Sequence, residues 1–191
     1  ARTSPTGRPG HVRTVLVETH LFGDIELTYR DSAIVATYTD EPSTEVSITR
    51  TGKRSRNSPI GTRDESALQA VLDGRDVPLS PGRARLSKRT YRVGFEIDGR
   101  VLTLAARTLT DSRLLDGTSD TGENCFGELT RTHDGIEITW AVPFRFMTRS
   151  IEPPIPTRDD VLVAVCVAAA FGTGGLSVAT VVMGFVDALL P

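Results

Sequence analysis

At 191 residues the chain has the length of one domain, or of one domain with an anchor, and its 39% hydrophobic content allows only a modest core. A formal net charge of −2, from 22 basic and 24 acidic residues, excludes a general nucleic-acid binder, which would be clearly basic. The two cysteines, Cys125 in a polar segment and Cys166 in an apolar one, exclude a disulfide framework and suit a reducing cytoplasm.

Residues 1–11 (ARTSPTGRPGH) hold turn formers with nothing to bury and no apolar signal segment, so they read as a disordered lead-in. Strand patterns follow. Val12 to Phe22 alternates, Gly23-Asp24 turns the chain, and Ile25, Leu27 and Tyr29 alternate with Glu26 and Thr28. Ala33 to Tyr38 reads as a third strand, and Val46 with Ile48 marks a fourth.

The next stretch is basic: Arg50, Lys53, Arg54, Arg56 and Arg63 have no acid between them. Thr62-Arg63-Asp64-Glu65 fits a helix capping box, Ala67, Leu68, Val71 and Leu72 form a helical stripe, and Gly74 suits its C-terminal cap. One short helix is therefore expected there. A second basic stretch follows, with Arg83, Arg85, Lys88, Arg89 and Arg92.

Two hairpins come next, each predicted to turn on an Asp-Gly pair in a type I′ geometry. Val93–Ile97 and Arg100–Ala105 flank Asp98-Gly99, while Glu128–Thr132 and Ile136–Val142 flank Asp134-Gly135. Between them, Asp111 through Glu128 reads as an acidic, solvated loop; DGTSDTGE lacks the alternating carboxylates of a calcium loop. A short strand is expected over Phe144 to Thr148. The whole is mainly β, with about ten or eleven short antiparallel strands in a sandwich or barrel over 12–150.

The Pro-rich segment 151–158 then links to a hydrophobic C-terminal helix over 159–191. Val161 through Val186 carries no charged side chain; as one helix it would reach roughly 39 Å, beyond a hydrocarbon core of about 30 Å. Ala168, Gly172, Gly175 and Ala179 would give it a small-residue packing face suited to self-association. A helix apolar all round must be surrounded by lipid or by protein. The alternatives are thus a transmembrane helix, a central core helix, or two short apolar arms turning at Gly172-Thr173-Gly174-Gly175.

In layout the chain resembles the tubby-like and LURP-one-related superfamily, which includes the phospholipid scramblases. The resemblance lies in the strand run from Val12 to Thr148, the hairpin from Gly127-Glu128-Leu129-Thr130-Arg131 to Trp140, and the terminal helix from Asp160 onward. It rests on order and length, and no specific motif carries it. It implies a β-barrel wrapped around the C-terminal helix, with a basic surface that binds phosphoinositides.

Catalytic signatures are thin. His11, His20 and His133 are scattered, no serine sits in G-x-S-x-G, and the acids near Cys125 would not activate its thiol. No catalytic residue, cofactor or metal ligand is assigned, and a non-enzymatic module is expected. Its first form is a β-rich cytoplasmic domain anchored in a membrane by the tail, with a lipid or membrane-protein partner and a homo-oligomer through the helix. Its second form is a soluble barrel with the helix as core, binding anionic lipid through Arg50, Lys53, Arg54, Arg56, Arg83, Arg85, Lys88 and Arg89.

Overall fold

Alternation of apolar and polar side chains sets most of the strands, and the turns between them set an up-and-down order. The computed structural model describes residues 12–55, 58–85, 87–146 and 149–175. β1 (Arg13–Val17), β2 (Ile25–Tyr29), β3 (Ala33–Tyr38), β4 (Glu45–Arg50), β5 (Leu68–Leu72) and β6 (Arg75–Asp76) form one antiparallel meander. β7 (Leu79–Pro81), β8 (Val93–Ile97), β9 (Arg100–Ala106), β10 (Asp111–Asp116), β11 (Cys125–Arg131) and β12 (Ile136–Trp140) form a second. β13 (Phe144–Phe146) and β14 (Arg149–Ile151) pair separately.

Only Val77 and Pro78 separate β6 from β7. The Val77 N–H donates to Ala70 O at 2.9 Å, and the Glu96 N–H donates to Pro78 O at 3.1 Å. The chain thus passes from one sheet to the other as one bent strand, with proline where no ladder donor is needed. The opposite seam, between β1 and β12, is bridged by the Trp140 indole N–H, which donates to Thr19 O at 2.6 Å. The strands also approach closely there: a Cβ added to Gly135 would lie 2.9 Å from Val15 Cγ1.

Inside this enclosure runs α1 (Arg158–Phe171). Thr157 and Asp160 form a reciprocal cap, the Thr157 N–H donating to Asp160 Oδ2 at 2.8 Å and the Asp160 N–H to Thr157 Oγ1 at 3.2 Å. Every residue from Asp160 to Phe171 is buried. The helix lies against β2, β3 and β4 of one sheet and β8, β9 and β12 of the other. Inward side chains of both sheets, such as Ile34, Ile48, Phe95 and Leu104, share one core with Leu162, Val165 and Phe171. Each such aliphatic residue contributes about 1.5–3 kcal/mol by leaving water, so the helix supplies much of what holds the two sheets together.

This placement corrects the expectation of a transmembrane helix over 159–191. The helix that forms has 14 residues, about 21 Å, and stops at Gly172, whose φ of 80° favours glycine. Among the described residues no helix is long and apolar enough to cross a membrane. Ala168 packs within the enclosure, and a Cβ on Gly175 would meet the Tyr91 ring, so these members of the small-residue face serve contacts within the chain. Ala179 and the remainder of the apolar run lie outside the described residues, as do residues 1–11.

Other elements also differ from expectation. The short helix over 62–74 is instead a 3-10 turn at Glu65–Ala67, capped by Asp64, followed by β5. Leu68 to Leu72 carries apolar residues at both periods, and pairing with β4 decides for the strand. Gly74 then completes an Asp73-Gly74 hairpin turn, both residues at positive φ. Asp98-Gly99 turns as predicted, with φ of 50° and 81°. Asp134-Gly135 does not: the loop spans 132–135, closed by the Thr132 N–H on Gly135 O. The acidic segment is half strand, since Asp111–Asp116 is β10, and Cys125 is the buried first residue of β11.

Candidate functional site: the pole where the helix ends

Because the strands alternate in direction, their connections alternate between two poles, one where α1 enters and one where it ends. Four turns lie wholly at the entry pole: 18–24, 39–44, 73–74 and 98–99. They carry Glu18, Asp24, Asp40, Glu41, Asp73 and Asp98, and no lysine or arginine. The cations that meet them come from strands and helix. Arg75 bridges Asp98 and Asp159 at 2.7 and 3.2 Å, Arg100 bridges Asp116 and Asp160 at 3.0 and 3.2 Å, and Arg158 contacts Asp40 and Glu41. Each of these links the first helical turn to a strand or turn, while Glu18, Asp24 and Asp73 make no ion pair among the described residues and leave this pole with a surplus of acid.

The opposite pole is built from the connections 30–32, 51–67, 82–92, 107–110 and 132–135, with Arg13 at the start of β1 and Arg131 at the end of β11. Its cations are largely uncompensated. Among the described residues, Arg13, Arg30, Lys53, Arg54, Arg83, Arg85, Lys88, Arg89 and Arg131 make no ion pair. The acids on these connections are Asp31, Asp64, Glu65 and Asp134. Asp64 is spent on its turn, accepting from Ser66, and Asp134 faces the His133 ring.

Two arginines at this pole are structural. Arg50 braces the long connection, its Nε donating to Ile60 O at 2.9 Å and its Nη2 to Asp31 O at 3.2 Å. Arg63 reaches inward: Nη1 donates to Gly82 O at 3.1 Å and Nη2 to Phe171 O at 3.2 Å, with the guanidinium 5.7 and 5.3 Å from the Tyr91 and Phe171 ring centroids. Burial pulls its pKa down, partly offset by Tyr91, and it makes no ion pair among the described residues. Its compensation is the negative end of the helix dipole, together with the two π faces.

Three hollows mark this pole. One, about 470 Å³, lies between the helix end, β1, β3 and the 132–135 loop; Arg13, Arg54 and Arg131 stand over Val15, Ile34, Ile136, Ala168 and Ala169. A second, about 760 Å³, shares Pro59, Arg131, Gly172 and Thr173 with the first and runs past Arg63 and Tyr91. A third, about 450 Å³, is bordered by Arg83, Arg85, Arg89 and Glu65.

The two basic stretches singled out in the sequence therefore do reach one pole, though not as one patch. Arg54 belongs to the first hollow, Arg83, Arg85 and Arg89 to the third, Lys53 and Lys88 to the same connections, and Arg56 lies outside the described residues. Arg50 is withdrawn into the scaffold. Arg13, Arg30 and Arg131 join them although each stands alone in the sequence, since only strand pairing collects them. The turn order assigns the poles once every strand is counted; a helix over 62–74 in place of β5 and β6, and a loop in place of β10, each break that alternation.

Nucleophilic chemistry finds no support here. Burial pushes both the Cys125 and Cys166 thiols up, away from the thiolate. His20 sits in the β1–β2 connection at a φ of 62°, and His133 is fully exposed. No group of three His, Cys, Asp or Glu among the described residues is placed to hold a metal ion. Comparison with protein-family models, with curated proteins and with solved structures finds no match for this chain.

Proposed function

We propose that the chain is a non-enzymatic binding module, a β-barrel closed around its own apolar helix, that docks on anionic lipid through the pole where the helix ends. The observation that carries this reading is the opposition of charge along the helix axis: unpaired arginines and lysines at one pole, acids at the other. A net charge of −2 conceals this separation. A molecule so polarised orients in the field of an anionic surface, and each basic residue near it contributes about 1 kcal/mol.

The proposed kinship with the tubby-like superfamily is supported by the enclosed helix, which takes the place that the resemblance implies. The same burial disfavours the anchored form of the hypothesis, in which α1 would sit in lipid. Co-sedimentation with vesicles tests the reading, comparing phosphatidylcholine alone with phosphatidylcholine plus phosphatidylserine. The protein is expected to pellet with the anionic vesicles only. The combined variant Arg83→Gln, Arg85→Gln, Lys88→Gln, Arg89→Gln is expected to lose that binding, since about 4 kcal/mol is at stake in four contacts. Equal binding to neutral vesicles, or an unaffected variant, would overturn it.

A further inference from the structure

The hollow of about 470 Å³ has a different chemistry from the rest of the pole, and it traces to the sequence of α1. The first turns of the helix carry Val161, Leu162, Val163 and Val165, which fill the space between the sheets. Its last turns carry Ala168-Ala169-Ala170. Large side chains give way to methyl groups where the strands reach the β1–β12 seam, and Ala168 and Ala169 line the hollow that remains. Its volume falls in the range of small-molecule sites, which are typically about 300–1,000 Å³.

The lining is divided. Val15, Ile34 and Ile136 join the two alanines as an apolar floor, and Arg13, Arg54 and Arg131 stand at the rim without an ion pair among the described residues. Among the described residues Asp31 and Arg30 are the other side chains of formal charge in the wall, so the rim keeps a surplus of positive charge. A purely ionic ligand would leave the apolar floor unused, and a purely apolar one would leave three guanidinium groups facing it.

We infer that this hollow binds a single-chain anionic amphiphile, with the acidic head held by Arg13, Arg54 and Arg131 and the chain laid on Val15, Ile34 and the helix alanines. The site needs no membrane: it stands on the hollow and its lining, whereas surface docking stands on the 82–92 connection. Source of the ligand, whether a bilayer or solution, does not enter its geometry.

Isothermal titration of the full chain with decyl phosphate, kept below its micellar concentration, tests this against inorganic phosphate and 1-decanol. Decyl phosphate is expected to bind and the other two to bind at least about tenfold more weakly, since each lacks one half of the complement. Inorganic phosphate binding as tightly would reduce the site to a surface anion patch and overturn the inference, as would no heat from decyl phosphate. The variant Arg54→Gln with Arg131→Gln, at the exposed rim, is expected to weaken binding about tenfold or more; an unchanged affinity overturns the inference. Ala169→Leu fills the floor and is expected to abolish binding; retained affinity overturns the inference, and if this variant melts early the rim variant decides alone. Loss of vesicle binding in the 82–92 variant with decyl phosphate binding intact separates the two sites.

Discussion

Tyr38 illustrates how one residue joins the strands to the helix. Its ring is fully buried, its Oη donates to Arg158 O at 2.8 Å, and the Arg158 guanidinium lies 4.0 Å from the ring centroid. Burial raises the phenol pKa, with Arg158 pulling it partly back. A folded-state pKa above the unfolded value of about 10 means that the stabilisation is fully present below that pH and is lost as pH rises beyond it. Tyr38→Phe is expected to lower stability by about 1 kcal/mol at pH 7 and to make the loss between about pH 10 and 12 shallower than in the parent. Urea melts across that range give both quantities; an alkaline slope identical to the parent's would mean that Tyr38 ionises freely in the folded state.

The helix is the element on which the rest depends. A segment apolar around its whole circumference has no face for water, and the two sheets leave it none to offer. Deleting residues 152–191 would expose the inner faces of both sheets, including Ile34, Ile48, Phe95 and Leu104. The truncated chain is therefore expected to show no cooperative thermal melt and to aggregate. An anchor attached to an independent domain would leave a well-folded remainder after the same cut, so a sharp melt of residues 1–151 would refute the enclosed-helix account. Leu68–Leu72 carries a related lesson: its local pattern admits a helix, yet hydrogen bonding to β4 fixes it as a strand.

At the scale of the molecule, the separation of charge between poles is the property with the widest consequence. The entry pole pairs Asp40, Glu41 and Asp98 with Arg158 and Arg75 and keeps a surplus of acids in Glu18, Asp24 and Asp73; the other pole leaves its cations for something outside the chain. Attraction to an anionic surface through exposed side chains is screened, with a Debye length near 10 Å at about 0.1 M salt and near 3 Å at about 1 M. Vesicle association is expected to fall steeply over that range. Glu18→Gln with Asp24→Asn, at the acidic pole, is expected to leave it unchanged. Should the acidic-pole variant alter binding as much as the 82–92 variant does, orientation by the cationic pole would be wrong, and net charge alone would govern the association.

The sequence by itself determined most of the strands, because alternation of side chains is a local property, and it determined that an apolar helix of some length closes the described fold. It also determined the charge of each turn, Asp98-Gly99 acidic and 82–92 basic, although β5, β6 and β10, whose local patterns do not mark them as strands, are needed to tell which turns share a pole. What surrounds α1 was beyond the sequence, since lipid and protein satisfy an all-apolar helix equally well. Only the tertiary structure decided for protein, by wrapping two six-stranded sheets around Arg158–Phe171. The same wrapping gathered Arg13, Arg54 and Arg131, far apart in the chain, over the space left by Ala168 and Ala169; a cavity is set by how elements taper against one another, and no segment carries that information alone.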